Sequence, residues 1–194
     1  MSMFCFQCEQ TAKGTGCNIS GVCGKTPDIA ALQDLLLHAA KGLARYAHRL
    51  GSLGVIDREA NVFIIEALFS TITNVNFDTD SLAALLRKAR EVGQRLKGQY
   101  EQACSEPEVL CGEGCQLADT TEGMIAQAEA LQIDKRQEAD GADVVGLQEL
   151  ITYGLKGAAA YADHAQILDV ADDAVFATFN EILDYLAGNP TDIG

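Results

Sequence analysis

A stretch of sixteen residues occurs twice in this sequence, and the repeat constrains the fold more than any other feature. Residues 32–47, LQDLLLHAAKGLARYA, align with residues 147–162, LQELITYGLKGAAAYA, at an offset of 115 positions, and eight of the sixteen residues are identical. The identical pairs other than Leu and Ala are Gln33/Gln148, Lys41/Lys156, Gly42/Gly157 and Tyr46/Tyr161. Two unrelated Leu- and Ala-rich helices have no reason to share such residues. The repeat therefore predicts two related helical units, each a small bundle.

The spacing of apolar residues predicts an all-α fold. Thr26 is suited to cap a helix and Pro27 to occupy its first turn, after which apolar residues recur every three or four positions up to Leu50. The sequence GSLG at residues 51–54 is expected to end this helix. No segment of the chain shows the alternation that is typical of a strand.

The remaining helices are predicted from the same periodicity. They cover about 58–73, 80–102, 121–132, 144–168 and 172–187. The buried face of the second helix is predicted to consist of Val62, Ile65, Phe69 and Ile72. The charged stretch DKRQEADGAD, residues 134–143, is predicted to be a linker. The chain thus divides into a Cys-rich loop at 1–25, a three-helix bundle at 26–103, a Cys-containing loop at 104–120 and a second helical bundle at 121–194.

The charge balance excludes several classes of partner. The 194 residues include 14 basic and 28 acidic side chains, a formal net charge of −14. Such a chain repels the phosphates of nucleic acids and of anionic membranes, so neither is an expected partner. The first residues, MSMFCFQCEQ, lack the features of a signal peptide, and no apolar run in the chain approaches about eighteen residues. We therefore expect a cytoplasmic protein.

Four of the seven cysteines lie close together, in the pattern Cys5-x2-Cys8-x8-Cys17-x5-Cys23. An odd number of cysteines in a cytoplasmic chain argues against a disulfide framework. A Cys-x2-Cys pair brings two thiolates to one tetrahedral centre, and the longer gaps allow the other two to reach it. An iron–sulfur cluster and a structural zinc site can both be bound by four cysteine thiolates, and redox-active thiols or a chance grouping are further alternatives.

Three features around these cysteines favour the iron–sulfur interpretation. Glycines at positions 14, 16, 21 and 24 would let backbone N–H groups approach the sulfur atoms. Phe4 and Phe6 flank the first cysteine and would exclude water, which affects a reduction potential. The fourth cysteine precedes a helix N-terminus, whose partial positive charge favours an anionic cluster. The alternative is a helical interaction module whose zinc site fixes the N-terminus to the bundle.

Several segments resemble one known family. The sequences FCFQCEQTAKGTGC, GVCGKTPD, FSTITNVNFD at 69–78 and YGLKGAAAYADHAQILD at 153–169 are similar to those of the hybrid cluster protein (prismane), or hydroxylamine reductase, family. The resemblance implies that Cys5, Cys8, Cys17 and Cys23 bind a [4Fe–4S] cluster, because members with a [2Fe–2S] cluster have longer gaps before the third and fourth cysteines. It also implies an N-terminal domain of two helical bundles.

The chain is much shorter than the members of this family. In those proteins, His, Glu and Cys residues of two later α/β domains bind a hybrid iron–sulfur–oxygen cluster, where hydroxylamine or nitric oxide is reduced. The resemblance therefore implies an electron-transfer domain that has no catalytic residue and that passes electrons to the remainder of the same enzyme. We expect this chain alone to be inactive, and we expect its electron donor to be a ferredoxin or an iron–sulfur reductase.

The resemblance also bears on the second bundle. Its last helix lies beyond residue 194 in family members, so the bundle is expected to lack that helix here. An apolar face would then be exposed on the helices near 147–187, and such a face favours self-association.

The three remaining cysteines do not match any ligand of the family. Cys104, Cys111 and Cys115 lie in a loop that also contains Gly and Pro. Three thiols form an incomplete site unless a group such as Glu113 completes it. We therefore predict free thiols, with an adventitious or redox-sensing site as the alternative.

The remaining polar candidates have structural explanations. His38, His48 and His164 have no His or Cys partner at ligand spacing and are predicted to serve packing or hydrogen bonding. Asp34 and Glu149 occupy equivalent places in the repeat, near the predicted helix starts, where a helix dipole favours an acid.

Overall fold

The computed structural model describes residues 3–110 and 116–192. These residues contain seven α-helices and no strand, so the all-α prediction is confirmed. The helices are α1 (Pro27–Ser52), α2 (Arg58–Ser70), α3 (Thr79–Ala103), α4 (Thr121–Gln127), α5 (Ile133–Asp140), α6 (Ala142–Ile167) and α7 (Asp173–Ala187). Short 3-10 helices cover Ala12–Gly14 and Ala128–Leu131. None of the described helices combines the length and apolar character needed to cross a membrane.

Side-chain caps determine where most of the helices begin. The Thr26 hydroxyl accepts a hydrogen bond from the Ile29 N–H at 3.4 Å, and Pro27 opens α1, as the sequence predicts. The carboxylates of Asp57, Asp78 and Asp172 cap α2, α3 and α7 in the same way. Each cap satisfies a backbone N–H group that has no partner within its helix.

The second helix differs from its prediction in length and in its buried face. It ends at Ser70 instead of near residue 73. Its buried residues include Phe63, Ile64, Ile65 and Leu68, whereas the predicted Val62, Phe69 and Ile72 are only half-buried. The reason is that α2 packs against α1 on one side and α6 on another, so that two faces are covered. A single amphipathic stripe describes such a helix poorly.

Residues 134–143, predicted to be a linker, contain the helix α5. Its first residue, Ile133, is buried, and Lys135 pairs with Glu138 one turn later at 3.1 Å. Arg136 reaches out of the helix to hydrogen-bond with the side chains of Gln148 and Glu149 on α6. The high polarity of the stretch therefore reflects ion pairs of a surface helix, and only Gly141, with φ of 91°, interrupts the helical backbone before α6.

The central helix of the structure is α1. It packs along α3 and α7 and also contacts α2, while α2 packs along α6. The helices α6 and α7 share few contacts with each other. One main apolar cluster includes residues of α1, α2, α3, α6 and α7. The division of the chain into two bundles, at 26–103 and 121–194, stays a prediction.

The two copies of the repeated stretch occupy different environments. The helix α6 begins and ends 115 positions after α1, and α7 begins 115 positions after α2. On α1 the residues Leu32, Leu35, Leu36 and Tyr46 are all buried. The equivalent residues on α6, which we call the α6 apolar face, are exposed; they are Leu147, Leu150, Ile151 and Tyr161. The described residues thus leave uncovered on α6 a surface that other helices cover on α1.

Candidate metal centre

The four N-terminal cysteines lie on a loop, residues 3–26, which we call the cysteine loop. Its two halves are joined at Cys5 and Cys17, whose backbones form an isolated antiparallel bridge. The Cys5 N–H donates to the Cys17 carbonyl at 3.0 Å, and the Cys17 N–H donates to the Cys5 carbonyl at 2.8 Å. Met3 and Cys17 are buried against Ala30 of α1. This small apolar cluster anchors the loop on the first helix.

The surroundings of the Cys17 sulfur favour the thiolate form. The Ala12 N–H donates to Cys17 Sγ at 3.4 Å, and the Thr11 hydroxyl lies 3.9 Å from the same atom. Hydrogen bonds from the backbone at Val22 and Ala12 are the main causes that lower the pKa of Cys17. A thiolate with amide donors around it is suited to bind a metal, because the thiolate and not the thiol is the ligand.

Two glycines allow close approach within the cysteine loop. A Cβ atom at Gly21 would lie 2.9 Å from Cys23 Sγ, and one at Gly16 would lie 2.7 Å from the Phe4 ring. The Gly21 N–H donates to the Lys25 carbonyl at 2.8 Å, which closes a tight turn around Cys23. Only glycine fits these two positions without a shift of the neighbouring atoms.

Aromatic side chains connect the cysteine loop to α6. The rings of Phe4 and Phe6 meet edge to face with their centroids 5.4 Å apart. The Phe6 ring in turn meets the ring of Tyr153 on α6 at 6.1 Å. Such contacts contribute about 1 kcal/mol each beyond their buried area. They hold the loop against the helical core on the side where Cys5 lies.

The structure brings the predicted ligands together only in part. All four are free cysteines, with Cys17 buried and Cys5, Cys8 and Cys23 half-buried. Cys5 and Cys17 lie side by side through their backbones. Across residues 3–110 and 116–192, no group of three or more His, Cys, Asp or Glu side chains is arranged to bind a metal ion. The four thiols, the amide donors at Cys17 and the glycine at 21 fit an iron–sulfur cluster chemically, and their assignment as its ligands stays a prediction.

A group of charged side chains beneath the loop was not predicted as part of the site. Lys25, Asp34, Glu149 and Lys156 line a cavity of about 20 Å³ that Cys5 also borders. Asp34 and Glu149 lie beyond the first turns of α1 and α6, so the explanation by helix dipoles is wrong. The only signal in the sequence was the repetition of an acid and a lysine at equivalent positions of the two copies.

The other candidate residues lie outside this loop. Cys104 is half-buried at the C-terminal end of α3, whereas Cys111 and Cys115 lie outside the described residues. The ring of His164 meets that of Phe69 edge to face at 5.8 Å. His38 borders a second small cavity, which Lys41, Arg136 and Glu149 also line.

Fold and loop together define a class of protein, an all-α domain that carries a loop of four free cysteines against its first helix. Residues 3–193 match the model of the Prismane/CO dehydrogenase family, and the chain belongs to this family. The resemblance found in the sequence is thereby confirmed.

Three similar proteins carry the name hydroxylamine reductase. The one from Rhodospirillum rubrum is 48% identical over 195 residues, which are 98% of this chain and 36% of the relative. Those from Acidithiobacillus ferrooxidans and Geobacter metallireducens are 46% and 45% identical over 200 and 190 residues. These matches cover 98% and 94% of this chain and 36% and 34% of the two relatives. The chain thus spans about a third of the length of the relatives it matches.

Proposed function

We propose that Cys5, Cys8, Cys17 and Cys23 hold one [4Fe–4S] cluster and that the chain is the electron-transfer part of a longer enzyme of the hydroxylamine reductase type. The observation that carries the proposal is the cysteine loop itself, in which a backbone amide donates to the sulfur of Cys17 and a glycine leaves room for that of Cys23. Backbone donors near thiolate sulfur are a common means by which proteins adjust iron–sulfur clusters.

Different residues of the chain would bind the cluster, donate hydrogen bonds to it and shield it from water. The four thiolates would bind iron, and the bound cluster would carry one electron at a time. The N–H of Ala12 would donate to the Cys17 sulfur and so spread its negative charge. Phe4 and Phe6 would limit the access of water, and the contact of Phe6 with Tyr153 would keep the loop on α6.

The chemistry that consumes the electrons is assigned to other parts of the enzyme. The named relatives are about three times as long as this chain, so there is room for further domains. In the proposed enzyme these domains hold a hybrid iron–sulfur–oxygen cluster, which reduces hydroxylamine or nitric oxide. A ferredoxin or an iron–sulfur reductase in the cytoplasm would supply the electrons to the cysteine loop.

Substitution of single cysteines tests the ligand assignment. In anaerobically purified protein, we expect Cys23→Ala to lose the cluster or to convert it to one with fewer iron atoms, so that iron content and visible absorption fall by at least about a quarter. Cys104→Ala is the matched control, because Cys104 is also a half-buried free cysteine but lies at the end of α3. If Cys23→Ala keeps its iron while Cys104→Ala loses it, the assignment is wrong.

A further inference from the structure

Lys156 is a buried cation at the base of the cysteine loop. Only 6% of the residue is exposed. Its Nζ donates to Gln7 Oε1 and to the Thr71 carbonyl oxygen, both at 3.4 Å, and lies 5.7 Å from the centre of the Tyr153 ring. Among the described residues, no carboxylate oxygen lies within salt-bridge distance of this ammonium group. A buried charge with only neutral hydrogen-bond partners is unfavourable unless a negative charge lies nearby.

The charges around Lys156 leave a local excess of positive charge. Its small cavity is lined by two lysines, Lys25 and Lys156, and by two carboxyl groups, Asp34 and Glu149. Glu149 is already neutralised by Arg136, which donates to its Oε1. Asp34 is then the one carboxyl group that faces the two lysines, and burial raises its pKa, although the positive charges of Lys156 and Lys25 oppose this. In a chain of net charge −14, the region next to Cys5 is therefore cationic.

Lys156 is coupled electrostatically to the cysteine loop. Burial lowers the pKa of Lys156 to about 8; the charge of Lys25 acts in the same direction, and the charges of Asp34, Glu149 and, least of all, Cys5 act in the opposite direction. The side chain is therefore mostly protonated at pH 7. Electrostatic coupling is reciprocal, so the ammonium of Lys156 favours added negative charge in the cysteine loop beside it. The hydrogen bond from Lys156 Nζ to Gln7 Oε1 joins this lysine to the segment between Cys5 and Cys8.

We propose that Lys156 sets the reduction potential of the cluster held by the cysteine loop, because its buried ammonium stabilises the negative charge that each electron adds. The inference rests on the proposed function. The electron comes from a one-electron donor such as a reduced viologen, and it reduces the cluster. Lys156 keeps its proton throughout, so its role is electrostatic and it positions no reacting atom. Lys156, the lysine in the second copy of the repeat, thereby has a function that the cysteine motif alone does not reveal.

The test is a redox titration of anaerobically purified protein at pH 7, followed by the electron paramagnetic resonance of the reduced cluster. We expect Lys156→Met to lower the equilibrium constant for reduction about tenfold, a shift of the midpoint potential of about 59 mV to more negative values. Lys156→Arg keeps the charge and should stay within twofold of the wild-type constant. An unchanged potential in Lys156→Met would overturn the inference.

Lys41→Met is the matched control. Lys41 occupies the equivalent position of the other copy of the repeat, and burial lowers its pKa to about 8 as well. It borders the neighbouring cavity, which Cys5 does not line. We expect its substitution to change the equilibrium constant less than twofold, since no residue of the cysteine loop lines the cavity that Lys41 borders. A shift in Lys41→Met as large as that in Lys156→Met would overturn the specific role of Lys156.

Metal analysis separates failure of this inference from failure of the proposed function. A wild-type chain without iron and sulfide would contradict both. A wild-type chain that holds the cluster, with an unchanged potential in Lys156→Met, would contradict the inference alone. If Lys156→Met and Lys156→Gln melt like the wild type but lose iron while Lys156→Arg keeps it, the buried charge is needed to hold the anionic cluster, which supports the inference. Loss of iron in Lys156→Arg as well would contradict it.

Discussion

Position 21 shows how little space the cysteine loop leaves for an added side chain. A Cβ atom there would lie 2.9 Å from Cys23 Sγ and 3.2 Å from the backbone nitrogen of Lys25. Both polar backbone groups of Gly21 are used as well, since its N–H donates to Lys25 and its carbonyl accepts from Gly24. A side chain at this position would have to displace either the sulfur atom or the turn.

We predict that Gly21→Ala lowers the iron bound per chain at least twofold, because the methyl group pushes Cys23 Sγ away. Iron analysis of anaerobically purified protein measures the effect. Gly51→Ala, at the exposed end of α1 with nothing within 4 Å of the added methyl group, should leave the iron content unchanged. Equal iron in Gly21→Ala and wild type would show that the close approach at this position is irrelevant to the site.

The sequence identified the cysteine loop but missed the charged residues beneath it. The loop is a local pattern, and the spacing of its cysteines and glycines is visible over about twenty residues. The contact between Gln7 and Lys156 joins positions 149 residues apart. A lysine on an amphipathic helix is normally exposed, so its burial depends on the packing of α6 beneath the loop and could not be predicted from local sequence.

At the scale of the helices, Asp57 links two elements of the fold. Its carboxylate caps α2 through the Ala60 N–H at 2.9 Å and also accepts hydrogen bonds from Arg95 and Gln99 of α3. Burial alone would raise the pKa of Asp57, but these hydrogen bonds outweigh it and lower the pKa. The group is therefore ionised in the folded protein at a pH where it is already protonated in the unfolded chain.

We predict that Asp57→Ala lowers the free energy of unfolding by about 2 kcal/mol at pH 7, from loss of the cap and of the charged hydrogen bonds. Because the folded-state pKa is lowered, the stabilisation is complete above the unfolded pKa of about 4 and is lost as the pH falls through the folded value. Urea denaturation at pH 7 and pH 3 measures both effects. A difference between variant and wild type that grows toward low pH would contradict this account.

A helix boundary was predicted well where local signals mark it. The start of α1 was predicted from Thr26 and Pro27, and the structure confirms it. The predicted buried face of α2 is confirmed only at Ile65, because two partners, α1 and α6, cover different sides of this helix. The helix α5 was missed because its support is electrostatic and tertiary, through Arg136 and the side chains of α6, which no apolar period reveals.

At the scale of the whole molecule, the α6 apolar face is an apolar surface that no other described helix covers. Leu150, in its centre, is 66% exposed. Gly154, Gly157 and Ala158 continue the same side of the helix without a charged residue. An exposed apolar surface of this kind favours association with another surface of similar character.

We predict that this chain self-associates through the α6 apolar face and that Leu150→Glu shifts it toward the monomer. Sedimentation velocity over a range of protein concentrations measures the distribution. Ile56→Glu is the control, because Ile56 is 62% exposed but belongs to the connection between α1 and α2 and not to α6. A wild-type chain that is monomeric throughout, or an equal effect of both variants, would show that the face does not mediate association.

We also predict that the chain alone does not reduce hydroxylamine, since the proposed catalytic cluster belongs to parts of the enzyme outside it. Turnover with hydroxylamine and a reduced dye measures this, with a full-length hydroxylamine reductase from one of the relatives as the positive control. Sustained turnover by the iron-loaded chain would contradict the proposal that electron transfer and catalysis take place in different parts of the enzyme.

The most direct test of the account is the metal and sulfide content of the chain purified without oxygen. The account predicts about four iron atoms and four inorganic sulfides per chain, with a brown chromophore that a one-electron donor bleaches. One zinc ion per chain with no sulfide would contradict it, and would identify the cysteine loop as a structural zinc site of a helical interaction module.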